Sequence, residues 1–475
     1  MLFSSPIFLF LFLPLTIIIY RLVPKKLKNL LLLLASLFFY TWGEKELIVI
    51  ILASTLIDFI SGQIIDNGQR KTGLFLSLVF NLGLLLYFKY ANFVFSNLAD
   101  LLNTLQVPVN FGSTFSNIAL PLGISFYTFQ TMSYTIDVYR GQVKAQRNLI
   151  NFATYVCFFP QLIAGPIVRY KDIQAELTNR KTTSNLFASG VERFIIGLAK
   201  KMIIANNCAF LADGVFNLPS DERSALIAWL GILAYSFQIY FDFSGYSDMA
   251  IGLGKMFGFN FPENFNFPYI SKSIQEFWRR WHITLSSWFK DYLYISLGGN
   301  RKGKMFTYLN LFIVFLLTGL WHGANWTFIV WGLIHGGFMI IERIGFKDRL
   351  QKLPNVISHL YTLLVVGLSW VFFRSDTIQD SINYLGNLFS LKNETNIDFL
   401  NFYLTKEVLF VLVLAVIFST PLFDSTKKGL KTLGIFPKSN ESIHTVKFVC
   451  LIALFIISCF YVATDSYNPF IYFRF

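Results

Sequence analysis

The chain has 475 residues, of which 54% are hydrophobic and only 14% are charged. Soluble domains carry nearer a quarter charged residues, so this composition excludes a soluble globular protein and indicates an integral membrane protein. The net charge of +13 comes from short basic clusters beside apolar runs rather than from one basic tail. That pattern determines membrane topology and does not indicate nucleic-acid binding.

Apolar runs about 18 to 22 residues long, each enough for one helix across a bilayer, recur from end to end. Runs that contain Pro121, Pro160 and Pro166 favour broken or re-entrant helices, because proline interrupts the helical hydrogen bonds. We predict an all-α membrane fold with about 11 transmembrane helices plus re-entrant and interfacial helices. The candidate runs are 5–23, 27–42, 46–65, 73–95, 118–137, 149–168, 189–212, 225–254, 305–322, 325–342, 356–373, 405–424 and 444–463.

Basic residues beside span ends predict the topology, because lysine and arginine favour the cytoplasmic side. The clusters lie at 25–28, 301–304, 343–349 and 427–431. Placing all of them inside puts both termini outside. The polar intervals are too short for independent cores, so residues 1–475 are predicted to form a single polytopic membrane domain.

A polar cluster that begins at Asp242 and ends at Asp248 interrupts an apolar run. Buried carboxylates inside a membrane usually need partners. We expect these residues to pair with Arg279 or Arg280, and the alternative is that they line a tunnel.

The stretch 273–304 alternates aromatic and basic residues and is too polar to span the membrane. It is predicted to lie along the cytoplasmic interface or to dip into the protein. An interfacial anchor would not explain His282, which follows Trp281. The adjacent Arg279 and Arg280 suit an anionic donor that arrives from the cytoplasm.

Two of the five histidines lie in the glycine- and tryptophan-rich stretch 319–337. If Lys304 is cytoplasmic and residues 305–322 are helical, His322 lies about 26 Å along that helix from its start, at membrane depth toward the outer half. A histidine there indicates a functional site, and the alternative is a histidine satisfied by helix packing. The glycines around His335 favour helix packing for that residue.

Several motifs together closely resemble the membrane-bound O-acyltransferase (MBOAT) family, in the bacterial branch typified by the membrane subunit of alginate O-acetylation. The most specific are QEFWRRWHITLSSWFKDYLYISLGGNRKG and TGLWHGANWTFIVWGLIHG. Supporting segments are LPLGISFYTFQTMSYTIDVYRG, FFPQLIAGPIVRY and YFDFSGYSDMAIGLGKMFGFNFPENFNFPY. The resemblance implies helices around a central funnel or tunnel, with the catalytic motifs in a core at about 118–343.

The resemblance also implies the chemistry and the partners. His322 corresponds to the central catalytic histidine and His282 to the second family histidine. Members transfer an acyl group from a cytoplasmic donor, acetyl-CoA or another acyl thioester or acyl carrier, without a bound cofactor or metal. Envelope-modifying members work with an extracytoplasmic SGNH-hydrolase-like partner that acylates a cell-envelope polysaccharide. The expected location is the bacterial plasma membrane, with many passes through the lipid bilayer and both termini extracytoplasmic.

A positioned imidazole can take the proton of a hydroxyl as that hydroxyl attacks an acyl carbon, and His322 is the predicted base. His282 either orients the donor or stabilises the oxyanion. Asn325 either donates to the oxyanion or caps the next helix. The candidate donor-binding or tunnel-lining residues are Arg279, Arg280, Trp281, Trp321, Asn325 and Asp242.

The C-terminal tail, 468–475, contains an F-x-Y-x-x-F ending similar to one found in envelope acyltransferases or their small partners. By that resemblance Tyr472 is a candidate acyl relay, and the alternative is an aromatic anchor at the membrane interface.

The predicted function is O-acylation, most simply O-acetylation, of a cell-envelope polysaccharide. Two alternatives stay open at this point. The first is D-alanyl transfer to teichoic acid from a carrier protein, and the second is a transporter or lipid flippase, since broken helices with midplane polar residues are also typical of carriers.

Overall fold

The computed structural model describes residues 1–107, 118–390, 396–422, 440–464 and 469. Helices make up most of these residues, and none of the residues that the structure describes forms a strand. The α-helices longer than one turn are Leu13–Leu22, Lys28–Glu44, Ile48–Asp66, Arg70–Leu85, Ala91–Thr104, Ile124–Tyr139, Leu149–Cys157, Tyr170–Asn179, Ser184–Ala199, Asn206–Asn217, Ala225–Met256, Ile274–Arg280, Ile283–Trp288, Lys304–His322, Trp326–Ile341, Lys347–Lys352, Asn355–Arg374, Ile378–Leu388, Ile397–Tyr403, Lys406–Phe418 and Asn440–Ala463.

In the described part of the chain, 8 helices are long and apolar enough to cross a membrane, or 9 if a bent pair counts as one span. The all-α membrane fold is confirmed, but the predicted count of about 11 is not. Two of the predicted runs, at 27–42 and 46–65, lie in one helical stretch, Lys25–Asp66. The run at 118–137 forms the 16-residue helix Ile124–Tyr139, which is too short to count.

The helix predicted to break at Pro160 does break there. Leu149–Cys157 ends before Phe158, and Phe159–Leu162 forms a separate short turn. The interrupted backbone is covered by protein: Ser36 Oγ accepts from the Phe159 N–H over 3.0 Å. This agrees with the rule that irregular backbone at membrane depth needs partners within the protein.

The long helix Ala225–Met256 lies at the centre of the fold and is buried along most of its length. It crosses the helix Ser184–Ala199 at a close distance. A methyl group on Gly197 would lie 2.5 Å from the carbonyl oxygen of Gly245, so the two backbones touch where no side chain fits. Small residues allow such contacts between membrane helices.

Two neighbouring helices position the histidines of the stretch 319–337. The first, Lys304–His322, is called here the His322 helix, and the second is Trp326–Ile341. A methyl group on Gly319 would lie 2.4 Å from the carbonyl oxygen of Phe328. This close packing holds the two helices together and places His322 at the C-terminal end of the first one.

Residues 273–294 of the stretch 273–304 dip into the protein, whereas residues 300–304 are exposed at its surface. It forms Ile274–Arg280, Ile283–Trp288 and the π-helix Phe289–Tyr294. Phe277 and Trp281 are buried. His282 separates the first two helices with φ +43° and ψ 53°, the left-handed conformation that histidine tolerates better than most residues.

Candidate active site

His322 is the last residue of its helix, and its ring lies inside an aromatic cluster. The ring centroids of Trp331 and Phe373 are 5.0 and 5.2 Å from that of His322. His322 is only 3% exposed. A substrate therefore reaches the imidazole only when neighbouring side chains move, and the funnel or tunnel that the resemblance implies stays a prediction.

The second family histidine faces the first. The ring centroids of His282 and His322 are 6.4 Å apart, and Trp321 packs against both rings, at 5.9 and 5.0 Å. The structure thus brings together two histidines that are 40 residues apart in the sequence. Both side chains are buried.

Asn264, which the sequence reasoning did not assign, holds His282 in place. Its Oδ1 lies 3.1 Å from His282 Nδ1 and also accepts from the Thr284 N–H and Oγ1 over 3.3 and 2.9 Å. Its Nδ2 donates to Ser247 Oγ over 3.1 Å. Asn264 is 1% exposed. The signal in the sequence for Asn264 was its position as a polar residue in the loop before the aromatic motif that contains His282.

These contacts determine the tautomer of His282. A backbone N–H can only donate, so the Asn264 atom that it contacts must be the oxygen. Burial lowers the pKa of His282, which lies outside the candidate spans, so its ring is neutral at pH 7. The Nδ1–H therefore donates to Asn264, and Nε2 keeps its lone pair. Nε2 is buried and has no hydrogen-bond partner within the described residues.

Trp281 and Trp321, two of the predicted lining residues, are buried in the wall around this pair. Trp281 is 3% exposed and lies 5.1 Å from the ring of Trp370. The Nε1 of Trp321 donates to the carbonyl oxygen of Ser125 over 3.3 Å. Trp321 packs against both histidine rings and Trp281 packs against the neighbouring aromatic residues, while their contact with a substrate stays a prediction.

His335 has the contacts of a packing residue. Trp278 Nε1 donates to its Nδ1 over 3.2 Å, so its Nε2 carries the proton and donates to Ser369 Oγ over 2.9 Å. Both ring nitrogens are used within the fold. The structural interpretation of His335 is confirmed.

Asn325 caps a helix. Its Oδ1 accepts from the Thr327 N–H over 3.1 Å at the start of Trp326–Ile341, and its Nδ2 donates to the Asp376 carbonyl over 2.9 Å. The cap that was one of its two predicted roles is confirmed. A role at the oxyanion stays a prediction.

The predicted pairing of the polar cluster with Arg279 or Arg280 is wrong. Asp242 pairs with Lys201 over 2.7 Å. Arg280 instead pairs with Glu276 over 2.9 Å, one helical turn away, and Arg279 is exposed. The error arose because Ser184–Ala199 and the π-turn after it, which carry the true cationic partners, cross the central helix at its glycines.

Asp248, further along the central helix, also pairs with cations from the crossing segment. Its two carboxylate oxygens lie 2.6 Å from Arg193 and 2.7 Å from Lys200. Among the residues that the structure describes, the cations that pair with Asp242 and Asp248 therefore come from 193–201, a part of the chain that the sequence patterns did not connect with this cluster.

Tyr472, the candidate relay, lies outside the described residues. Its near neighbour Pro469 is described, and the Pro469 carbonyl accepts a hydrogen bond from Lys201 Nζ. Lys201 is 3% exposed and is the partner of Asp242. Pro469 thus contacts the buried Lys201–Asp242 ion pair.

Comparison with known proteins identifies the family. The model of the membrane-bound O-acyltransferase family, MBOAT, matches residues 142–367, which include His282 and His322. The chain is 42% identical to the probable alginate O-acetylase AlgI of Pseudomonas putida, over 100% of both chains. It is 37% identical to the peptidoglycan O-acetyltransferase of Helicobacter pylori, over 82% of this chain and 80% of that one.

A teichoic acid D-alanyltransferase of Bacillus subtilis is more distant, at 34% identity over 54% of this chain and 67% of that one. Full-length similarity is therefore to O-acetylating relatives. Together with the apolar helices, it shows that this chain is a multi-pass membrane protein of the membrane-bound O-acyltransferase family, in the bacterial branch that carries out O-acetylation.

Proposed function

We propose that this chain transfers an acetyl group from a cytoplasmic thioester to a hydroxyl group, with His322 as the general base. The observation that carries the proposal is the buried pair of imidazoles, whose ring centroids are 6.4 Å apart. Burial of two histidines side by side is unfavourable unless their ring nitrogens form hydrogen bonds in the fold or take part in the reaction. Both ring nitrogens of the comparable His335 have partners in the fold, whereas the Nε2 of His282 has none among the described residues.

The proposed reaction balances with these groups alone. The hydroxyl oxygen attacks the carbonyl carbon of the thioester, and His322 takes the hydroxyl proton. The tetrahedral intermediate collapses, the C–S bond breaks, and the thiolate leaves with the proton that His322 returns. A positioned base contributes typically about 10² to 10⁴ in rate.

The tautomer of His282 favours one of its two predicted roles. With Nδ1–H donated to Asn264, the Nε2 lone pair accepts hydrogen bonds and cannot donate to an oxyanion. We therefore assign to His282 the orientation of a substrate N–H or O–H group. The amide groups of a pantetheine arm and the attacking hydroxyl are both donors of the required kind.

The contact between Pro469 and Lys201 supports Tyr472 as the acyl relay. Pro469 lies three residues before Tyr472 in the chain, and its carbonyl accepts from the buried Lys201 that pairs with Asp242. In this proposal the Tyr472 hydroxyl is the nucleophile at His322, and an extracytoplasmic SGNH-hydrolase-like partner takes the acetyl group onward. The final acceptor is a cell-envelope polysaccharide, and both termini lie on the outer side of the plasma membrane.

The test is acetyl transfer by purified protein from labelled acetyl-CoA, with His322→Ala compared with His335→Gln. The two positions lie in the same aromatic cluster, so His335→Gln controls for disturbance of the packing. We expect His322→Ala to lose about 10² to 10⁴ in rate and His335→Gln to keep the wild-type rate in the folded fraction. Unchanged transfer in His322→Ala would falsify the assignment of the base.

Two further arms separate the alternatives. Replacement of acetyl-CoA by a D-alanyl carrier protein tests the donor, and we expect no transfer from it. Mass spectrometry of the C-terminal peptide tests the relay. We expect an acetyl group on Tyr472 in the wild type and none in Tyr472→Phe. Uptake of substrate into vesicles without any acyl transfer would instead favour a transporter.

A further inference from the structure

Two consecutive residues of a π-helix, Lys89 and Tyr90, contact the end of the His322 helix. The π-helix Leu86–Tyr90 lies inside the candidate span Arg70–Thr104. π-turns within helices are frequent at functional sites. Lys89 is only 8% exposed, and a lysine buried in a span is costly enough to indicate a function.

The partners of Lys89 are carbonyl and hydroxyl oxygens. Its Nζ donates to the Trp321 carbonyl over 2.5 Å, to Ser125 Oγ over 3.0 Å and to the His322 carbonyl over 3.4 Å. Among the described residues, no ion pair joins Lys89 to a carboxylate. The three N–H donors of Lys89 thus all have acceptors, two at the end of the His322 helix and one, Ser125, at the start of the helix Ile124–Tyr139.

Tyr90 extends the same contact by one residue. Its hydroxyl donates to the Leu320 carbonyl over 2.8 Å. The last carbonyls of an α-helix have no N–H partner within that helix. Lys89 and Tyr90 therefore supply hydrogen bonds to three successive carbonyls, those of Leu320, Trp321 and His322.

Electrostatics strengthens this arrangement. The C-terminus of a helix carries a partial negative charge, and a cation placed there is stabilising. The interaction is stronger in a buried, low-dielectric site than in water. The hydrogen bonds from Lys89 and Tyr90 hold the backbone at the end of the His322 helix, whereas a last turn with unpaired carbonyls would fray.

We propose that Lys89 and Tyr90 are positioning residues that fix the His322 imidazole for proton transfer. The proposal rests on the proposed role of His322 as the base. Neither residue touches the reacting atoms, so both act through the backbone of His322. Misplacement of a reacting group by about 1 Å can cost roughly 10²-fold in rate.

The experiment compares Lys89→Met, Tyr90→Phe and Lys304→Met in the purified full-length protein, with kcat and the KM for acetyl-CoA measured for each. Lys304 is an exposed cation at the opposite end of the same helix, so Lys304→Met is the matched control. We expect Lys89→Met to lower kcat by about 10- to 100-fold with an unchanged KM. Tyr90→Phe, which removes one hydroxyl group, is expected to lower kcat by less, and Lys304→Met to leave it unchanged.

Thermal unfolding in detergent accompanies the kinetics, and if Lys89→Met does not fold, Tyr90→Phe decides. The proposal is overturned if the folded variants keep the wild-type kcat, or if KM rises while kcat is unchanged, which would mean a contact with the donor. His322→Ala keeps the two proposals separate. An active His322→Ala rejects the base, whereas an inactive His322→Ala beside a fully active Lys89→Met rejects only the positioning role.

Discussion

His335 and His282 lie in the same aromatic cluster, yet the fold uses their rings differently. Trp278 and Ser369 occupy both nitrogens of His335. Asn264 occupies only Nδ1 of His282 and leaves the Nε2 lone pair inside the protein. A buried polar atom without a partner among the described residues costs free energy of folding, and we therefore expect the Nε2 of His282 to act in the reaction.

The difference also explains why histidine alone is a weak signal. Both residues are buried next to tryptophan, and the sequence around each of them is typical of a membrane protein. What separates them is the position of hydrogen-bond partners from other segments, and those positions depend on the fold. Removal of each ring or of its partners in turn tests this difference between the two histidines.

Between these two histidines and their partners, the largest effect is expected at His282. His282→Asn removes the Nε2 acceptor and retains a residue type that tolerates the left-handed backbone at φ +43°. We expect kcat to fall by about 10²-fold or more, since an oriented proton-transfer network contributes on that scale. The measurement is acetyl transfer at saturating donor. The comparison between the two histidines breaks if His282→Asn retains the wild-type rate.

A smaller effect is expected from Asn264, because it acts through the ring of His282. Asn264→Leu removes the acceptor that selects the tautomer, and we expect a loss of about 10- to 100-fold in kcat, the scale known for outer partners of metal-ligating histidines. Asn264→Asp is the control, since its carboxylate still accepts from Nδ1–H. Equal rates for the two variants would show that the tautomer does not matter.

His335→Leu should change stability instead of catalysis. It leaves the indole N–H of Trp278 buried without its acceptor, a loss of about 1 to 3 kcal/mol in the free energy of unfolding. Thermal unfolding in detergent, together with kcat of the folded fraction, checks this. A large fall in kcat with unchanged stability would place His335 in the reaction and remove the contrast with His282. Ser369→Ala, which removes only the Nε2 partner, is the milder companion variant.

Much of the fold follows from local sequence, and the site follows only in part. Apolar length predicted the spans, and proline predicted the break at Pro160. Motifs selected His282 and His322. The partners of the site residues lie far away in the sequence. Lys89 contacts Trp321 across 232 positions, and Lys201 replaces the expected arginines as the partner of Asp242. Sequence spacing contains no information on which helices cross.

One local signal was available and was not used. Lys89 is a basic residue inside the predicted span 73–95, where charge is costly. That cost alone was grounds to expect a partner at membrane depth. It did not identify the partner, because the end of the His322 helix reaches Lys89 only in the folded protein.

The smallest predicted effect concerns Asn325, which lies three residues after His322 in the chain. Asn325→Ala removes the side-chain cap of Trp326–Ile341 and should cost about 1 kcal/mol in stability, with kcat unchanged. Asn325→Asp retains the capping oxygen and should recover that stability. The opposite result would be a kcat at least tenfold lower in Asn325→Ala. If Asn325→Asp then has the stability of the wild type but the same low kcat as Asn325→Ala, the amide of Asn325 donates to the oxyanion. Asn325 would then have two roles, as a helix cap and as a catalytic residue, and the catalytic site would include more than the two histidines.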